Sequence, residues 1–223
     1  PEGFGHIQDQ YFEFLAPLGV DPEPVEFGLG LTDDEMQDQR RIFSSFDRPV
    51  CSMVVGTSKE KKNWTPEGYA KVARALNSDF GFQPLLVGGR SRAEEILAGE
   101  ILSRARDDIV DARGGDLRHL LKILDGSALV ISPDTGPMHM ARALKVPVIS
   151  LFGYTNPKRY GPYRLFTDLI VDGYSRFPGE DYGPIAERRP GGMARITPAM
   201  VLEKVALAWA RYGGNPASED PAR

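Results

Sequence analysis

From Pro49 onward, short apolar runs alternate with segments of helical pattern, and this alternation constrains the fold more than any other feature of the chain. Apolar runs predict strands at 50–56, 84–87, 109–110, 129–132, 148–152 and 168–171. Helical patterns fall between them at 66–77, 91–106, 116–124 and 137–144. Alternation at this spacing predicts right-handed βαβ units, and hence an α/β fold with a doubly wound, Rossmann-like parallel sheet.

The segments on either side of this alternation are less regular. The earlier part predicts a helix over 7–18, a Pro-rich linker at 21–24, and a helix that follows a capping box at Thr32 and ends near Phe46. The later part predicts a long loop at 172–196, a helix at 199–212 and a frayed tail over the last ten residues. Because the sequence begins mid-pattern at Pro1, we expect it to be part of a longer protein.

The segment with the most chemical information is 131–139, which reads Ile-Ser-Pro-Asp-Thr-Gly-Pro-Met-His and joins a predicted strand to a helix. Free amides at the first turn of that helix, together with its dipole, predict a diphosphate site around Thr135 and Gly136. Asp134 suits sugar hydroxyls, and His139 on the next turn is placed to add a donor. The alternative is that Asp134 only caps the helix and His139 is structural; the residues alone do not decide between the two.

A second segment, Gly56 to Trp64, joins the first strand of the alternating region to its first helix. Its two hydroxyl residues, Thr57 and Ser58, are followed by several lysines that can hold phosphate oxygens. One lysine beside a leaving diphosphate would offset the charge that develops as a glycosidic bond breaks. A solvated basic loop is the competing interpretation, but the loop should open at the same sheet edge as Asp134.

A third segment places Glu94 and Glu95 at a helix start that follows the glycines Gly88 and Gly89. A carboxylate at this position is able to bind ribose hydroxyls. Acidic residues in a first helical turn also simply complement the helix dipole, and we favour that plainer interpretation for each of them on the residues alone.

Composition and missing motifs exclude several classes of protein. The net charge of −4 argues against a nucleic-acid binder. With Cys51 as the single cysteine, no internal disulfide can form, and no apolar run approaches the ~20 residues that span a bilayer. The chain has neither a dinucleotide glycine fingerprint nor a Gly-x-Ser-x-Gly elbow, and its three histidines are not at metal-ligand spacing. We therefore expect no cofactor and no metal.

Taken together, these segments resemble glycosyltransferase family 9, the ADP-heptose:lipopolysaccharide heptosyltransferases. The stretch 131–153 carries most of the resemblance, and the segments 155–157 and 160–163 continue it. The resemblance implies a GT-B fold, in which two Rossmann-like domains face a cleft. Residues 1–48 would be the end of the N-terminal acceptor-side domain and the interdomain linker. Residues 49–196 would be the nucleotide-sugar-binding domain, and 197–223 the C-terminal helix and tail.

The resemblance also implies roles for individual residues. The diphosphate would be held by Thr57, Ser58, Lys62, Thr135 and Gly136. Asp134 and His139 would face the sugar and diphosphate, and Glu95 or Glu94 would meet the ribose. The reaction would be inverting heptose transfer from ADP-heptose to a lipopolysaccharide-core or related glycan hydroxyl, without a metal. No residue here matches the family's general base, which lies early in the N-terminal domain.

Departures from the family put the exact donor in question. Glycines stand at 114–115, where the adenine is expected, and at 191–192, where family members often carry cysteines. In the first loop, Lys61 and Asn63 stand where acidic and His residues can occur in the family. The implied location is cytoplasmic, either free or attached peripherally to the inner membrane. Two alternatives remain: a non-catalytic nucleotide-sugar-binding protein on the same fold, and a dinucleotide-dependent oxidoreductase, which the missing fingerprint disfavours.

Overall fold

The computed structural model describes residues 5–213, and these residues contain one parallel sheet. Its strands are β1 (Val50–Val54), β2 (Gln83–Val87), β3 (Val110–Asp111), β4 (Leu129–Pro133), β5 (Val148–Phe152) and β6 (Ile170–Asp172). They lie in the order β3-β2-β1-β4-β5-β6, and every neighbouring pair is parallel. This is the strand order of a Rossmann fold, so the predicted fold class is confirmed.

Helices cover both faces of the sheet. They are α1 (Ile7–Phe12), α2 (Asp33–Phe43), α3 (Pro66–Ser78), α4 (Arg92–Ala105), α5 (Leu117–Gly126), α6 (Gly136–Ala143), α7 (Pro157–Tyr160) and α8 (Pro198–Tyr212). Helix α3 packs against α4 and α8, whereas α5 packs against α2 and α6. Right-handed crossovers in this strand order place the two groups on opposite faces.

The core lies along the sheet because both of its faces are covered. Every residue of β1, β4 and β5 is buried, as expected for central strands of a parallel sheet, whereas both residues of the edge strand β3 are exposed. Two buried aromatics tie α3 and the loop before it to the rest of the domain. The Trp64 indole N–H donates to the Ile196 carbonyl at 3.0 Å, and the Tyr69 hydroxyl donates to the Val54 carbonyl at 2.7 Å.

The helix starts follow the local capping chemistry. Thr32 and Ser91 each form a capping box, with Glu35 and Glu94 as the reciprocal partners. Thr65 accepts a hydrogen bond from the Gly68 amide, and proline occupies the first position of α3. These starts were predictable because each depends on a side chain within one turn of the helix.

Two predicted helices are shorter in the structure. The helix predicted over 7–18 divides into α1 and a separate 3₁₀ turn at Ala16–Leu18, because Pro17 lacks the amide N–H that a continuous helix would bond to the Glu13 carbonyl. Helix α2 ends at Phe43 rather than near residue 46; the Ser44 hydroxyl then donates back to the Arg41 carbonyl. The predicted frayed tail lies outside the described residues.

The segments before β1 pack on the sheet domain. Gln39 of α2 donates to the Lys122 carbonyl and to Asp125 of α5, each at 2.9 Å. His6 lies 2.9 Å from the Gly161 carbonyl through its Nε2 atom. The division of the chain at residue 48 stays a prediction. Among residues 5–213, no helix combines the length and apolar character needed to cross a membrane.

Candidate functional site

The candidate site lies where the strand order reverses, between β1 and β4. From β1 the chain continues outward to β2 and β3, and then returns to add β4 on the other side of β1. The loops that leave the carboxyl ends of β1 and β4 therefore diverge and leave a crevice, which is where open α/β sheets bind ligands. The first loop carries Thr57 to Lys62, and the second carries Asp134 and Thr135.

An ion pair joins the two loops across this crevice. The Lys62 ammonium lies 2.6 Å from Asp134 Oδ2 and 3.2 Å from the Asp134 main-chain oxygen. The Lys62 side chain is 17% exposed and that of Asp134 is 9% exposed, so the pair is nearly shielded from water but open on one side. An ammonium has three donors, and Asp134 engages two of them. The Lys62–Asp134 ion pair fixes the direction of the third N–H donor.

The Asp134 carboxylate does not cap α6. Its Oδ2 atom accepts from the Thr155 hydroxyl at 2.5 Å as well as from Lys62. The N-cap position belongs to Thr135, whose side chain makes no capping hydrogen bond within the described residues. Asp134 therefore acts as a junction between the loops after β1, β4 and β5.

The first turn of α6 opens to solvent beside this junction. Gly136 is exposed, and a Cβ atom placed on it would meet no atom of residues 5–213 within 4 Å. Unpaired amides at a helix start, with the positive end of the helix dipole, attract anions. The crevice thus combines an open helix start with a lysine ammonium, which together suit a phosphate group.

The two hydroxyl residues of the first loop differ in their surroundings. The Thr57 hydroxyl lies 2.6 Å from the Lys59 carbonyl and 2.9 Å from Asn63 Oδ1, and it accepts from the Lys59 amide at 3.3 Å. These contacts tighten the loop that leads into the 3₁₀ turn at Glu60–Lys62. Ser58 is exposed. The structure therefore brings Lys62 to Asp134, keeps Thr57 within the loop and places Ser58 in solvent.

His139 lies one turn into α6 and still reaches solvent. Crowding by surrounding groups removes water from its imidazole and lowers its pKa below the ordinary 6.5, while the negative charge of Asp134 opposes this and the charges of Lys62 and His6 reinforce it. The ring is accordingly neutral at neutral pH. A neutral imidazole can donate one hydrogen bond and accept another.

The lowered pKa of His139 predicts an acid-sensitive stability. The folded chain binds the His139 proton more weakly than the unfolded chain. The contribution of His139 to the free energy of unfolding is therefore fully present above about pH 6.5, and it is lost as the pH falls through the lower folded pKa. His6, whose pKa burial also lowers, acts in the same direction. We expect the free energy of unfolding to fall between about pH 7 and pH 5, and His139→Gln to flatten that slope. Urea unfolding at several pH values measures this pH dependence. Equal slopes for parent and variant would contradict its assignment to His139.

The two glutamates after β2 have different partners. Glu94 accepts from the Gly89 amide at 2.9 Å and from the Ser91 amide at 3.0 Å. Burial raises the pKa of Glu94, but hydrogen bonds from Ser91 and Gly89 outweigh it and hold the pKa below its usual value. The same side chain covers Gly56, where an added Cβ would lie 2.4 Å from Glu94 Cγ. Glu94 therefore borders the first loop.

Glu95 faces away from the first loop, toward two arginines. It lies 3.3 Å from the guanidinium of Arg113, whose side chain is only 2% exposed, and 3.2 Å from that of Arg90. Both glutamates are at the carboxyl ends of β2 and β3, on the same sheet edge as Lys62.

Two residues that shape the site were not among the candidates predicted from the sequence. Thr155, after β5, holds Asp134, and Asn63 holds Thr57. The available signal for Thr155 was a polar side chain three residues after the end of a buried strand, because carboxyl ends of adjacent parallel strands meet at one edge. Within the described residues, no group of three or more His, Cys, Asp or Glu side chains is arranged to hold a metal ion.

Comparison with protein-family models identifies the family of this chain. The model of glycosyltransferase family 9 (heptosyltransferase) matches residues 3–172. Lipopolysaccharide heptosyltransferase 1 of Pseudomonas aeruginosa is 35% identical over 159 residues, which are 71% of this chain and 42% of that protein. Lipopolysaccharide core heptosyltransferase OpsX of Haemophilus influenzae is 27% identical over 188 residues, covering 83% and 53%.

Solved structures show the same fold. The structure of E. coli ADP-heptose LPS heptosyltransferase II superposes with a TM-score of 0.67 at 24% identity, over 87% of this chain and 57% of that one. The chain spans about half the length of the curated relatives it matches.

Proposed function

Since the chain belongs to glycosyltransferase family 9, the heptosyltransferases, we propose that it forms the donor-binding part of an enzyme that transfers heptose from ADP-heptose to a lipopolysaccharide-core hydroxyl. The names of its relatives support this class of donor and acceptor. The family match covers the sheet domain through β6, which contains the candidate site.

One observation carries the proposal: the Lys62 ammonium and the open first turn of α6 converge on one crevice. Lys62 is held there by Asp134 at 2.6 Å, at the point where the strand order reverses. A diphosphate seated at Gly136 would accept from the helix amides and from the remaining Lys62 donor. Thr135 and the exposed Ser58 would complete the proposed diphosphate contacts, and Thr57 shapes the loop.

Heptose transfer breaks the bond between the sugar C1 and the β-phosphate oxygen, and forms a bond from C1 to the acceptor oxygen. Negative charge develops on the leaving diphosphate, where Lys62 and the α6 dipole stabilise it. Attack from the face opposite the leaving group inverts the configuration at C1. The acceptor hydroxyl proton passes to a base that we assign to no residue of this chain.

The remaining candidate residues would position the sugar and the nucleoside. Asp134 Oδ2 already holds Lys62 and Thr155, and in the described part of the chain its Oδ1 atom is left to accept from a heptose hydroxyl. The neutral His139 would donate to the sugar or diphosphate. A ribose over β2 would meet Glu95 or Glu94; of the two, Glu94 borders the first loop.

The domain arrangement and location follow as part of the same proposal. Residues 1–48 would be the end of an N-terminal acceptor-side domain and the interdomain linker, 49–196 would bind the donor, and 197–223 would be the C-terminal helix and tail. A cytoplasmic enzyme, either free or peripherally attached to the inner membrane, would meet a lipid-linked acceptor there.

A transfer assay tests the proposed function. The full-length protein is incubated with ADP-heptose and a heptose-deficient lipopolysaccharide core, and the products are identified by mass and by the anomeric NMR signal of the new heptose. We expect stoichiometric ADP release and an inverted linkage. ADP binding without product would instead indicate a non-catalytic binding protein, and absence of ADP binding would overturn the donor assignment itself.

The two glutamates can be separated by comparing ligands of different size. Glu94→Gln is expected to weaken ADP binding by about tenfold, as for a lost hydrogen bond to a charged group, and to leave pyrophosphate binding unchanged. Glu95→Gln, in the adjacent position, is the matched control and should change ADP binding less, because Glu94 and not Glu95 covers Gly56 of the first loop. Calorimetric titration measures both; the reverse ranking would assign the ribose contact to Glu95.

A further inference from the structure

A cavity of about 640 Å³ lies beside the candidate site and is not used by the donor in the proposed function. Its walls come from α1, from α7 and from the segments around β6; they include His6, Asp9, Lys158, Tyr163, Asp172 and Tyr182. A cavity of this size is within the range of about 300 to 1,000 Å³ in which proteins bind small molecules.

The cavity combines an apolar interior with a few fixed polar groups. Prolines at 157 and 162 and Ile170 supply apolar surface, and Tyr182 adds an aromatic wall. The Tyr182 hydroxyl donates to Asp172 Oδ2 at 2.5 Å, while Asp172 Oδ1 accepts the amides of Tyr174 and Ser175 at 2.8 and 2.9 Å. The prolines and Ile170 suit the apolar face of a sugar, and the carboxylates of Asp9 and Asp172 suit its hydroxyls.

Lys158 gives the cavity an available positive charge. Its ammonium lies 4.6 Å from the centre of the Tyr182 ring, and its ion pair with the fully exposed Asp181 is long, at 3.7 Å. Exposed pairs of this kind contribute little, so a ligand anion can replace Asp181 at low cost. The other cation of the wall, Arg164, is already engaged by Glu23 and Asp9.

The position of the cavity relates it to the transfer reaction. The loops after β4, β5 and β6 all leave the same edge of the sheet, with Asp134 after β4, Lys158 after β5 and Asp172 at the end of β6. Adjacent strands are about 4.8 Å apart, so the end of β6 lies roughly 10 Å from the end of β4. His6, in the cavity wall, is near enough to His139 for its charge to lower the pKa of His139.

The donor leaves the space over β5 and β6 unoccupied. In the proposed function the diphosphate occupies the β1–β4 crevice, and the nucleoside extends over β2 and β3 toward Glu94 and Glu95. The cavity lies in the opposite direction, over β5 and β6. A ligand here would approach the heptose from the side away from the nucleotide.

We propose that this cavity binds a saccharide unit of the acceptor, with an anionic substituent of that unit paired with Lys158. The inference rests on the proposed function, because it assigns the acceptor's site on the same enzyme. Asp9 and Asp172 set the polar edges of the cavity, and the prolines and Ile170 receive the apolar face of the sugar.

Two variants of the full-length enzyme test this assignment. Thr167 is exposed and lines the cavity, so Thr167→Trp should fill the space without disturbing the core; Leu165→Trp, two residues away and 37% exposed, is the matched control. Lys158→Ala removes the cation; Lys71→Ala, a comparably exposed lysine with its own surface partner, is its control. With a heptose-deficient lipopolysaccharide core as acceptor, steady-state kinetics give KM and kcat, and calorimetry gives the Kd for ADP.

The expected result is a rise of about tenfold in the acceptor KM for Thr167→Trp and for Lys158→Ala, with the Kd for ADP unchanged and both controls like the parent. An unchanged acceptor KM in Lys158→Ala, with normal transfer, would overturn the cavity assignment even if Thr167→Trp failed to fold. A parent enzyme that neither binds ADP nor transfers heptose would instead refute the proposed function. An equal loss of acceptor and ADP binding would also count against a separate acceptor site.

Discussion

Replacing Lys62 with alanine is expected to lower kcat for heptose transfer by about 100- to 1,000-fold, the usual cost of losing one preorganised group that stabilises developing charge. The ammonium is held 2.6 Å from Asp134, beside the first turn of α6, before any ligand arrives. Because this position is fixed in advance, little reorganisation is needed as the β-phosphate oxygen takes up charge. The loss should therefore fall mainly on kcat rather than on the donor KM.

The chain supplies a matched control for this prediction. Lys61 is adjacent in sequence, belongs to the same 3₁₀ turn and is exposed. Lys61→Ala should retain transfer close to the parent rate, and Lys62→Arg should retain part of it because the charge remains while the geometry changes. Stopped assays of ADP release measure all three. Similar rates for Lys61→Ala and Lys62→Ala would show that the loop acts only through its general positive charge.

Replacing Gly192 with alanine is expected to destabilise the fold by about 3 kcal/mol or more, because the added methyl group has no space. A Cβ atom at Gly192 would lie 1.8 Å from the Gly153 carbonyl oxygen and 2.7 Å from that of Gly173. Both contacts are with backbone, which cannot rotate away as a side chain can. The three glycines allow the 3₁₀ turn at Gly192–Arg195 to pack on the ends of β5 and β6.

A second glycine provides the control for this stability measurement. Gly99 lies inside α4, and a Cβ atom there would meet no atom of the described residues within 4 Å. Gly99→Ala should stabilise the protein by up to about 1 kcal/mol through its helix propensity. Urea unfolding measures both variants. If Gly192→Ala unfolds at the parent midpoint, the close approach of the three glycine backbones is not required for folding.

The fold was predictable from sequence where the signals were local. The capping box at Thr32 and the Thr65-Pro66 helix start depend on residues within one helical turn, and the βα alternation depends on short runs of neighbouring residues. The helix predicted over 7–18 is confirmed only at Ile7–Phe12, because Pro17 cannot continue it. Close backbone contacts such as Gly192 with Gly153 join residues far apart in sequence, and no periodicity shows them.

The sequence predicts which strand ends meet at the candidate site, but not which side chains contact each other there. Polar residues after β1 and β4 in a parallel sheet must meet at one edge, which is why Lys62 and Asp134 were expected near each other. Individual partners were not predictable: Thr155 holds Asp134 across 21 residues of sequence, and Glu94 rather than Glu95 covers Gly56. Such contacts depend on side-chain rotamers and loop packing that the pattern of residue types does not determine.

A crystal structure of the protein with ADP bound tests the central claim most directly. We predict a β-phosphate oxygen within about 3 Å of the Lys62 ammonium and of the Gly136 amide nitrogen, as expected for charge-assisted hydrogen bonds. ADP bound elsewhere, with Lys62 still paired only to Asp134 and the first turn of α6 facing water, would contradict it.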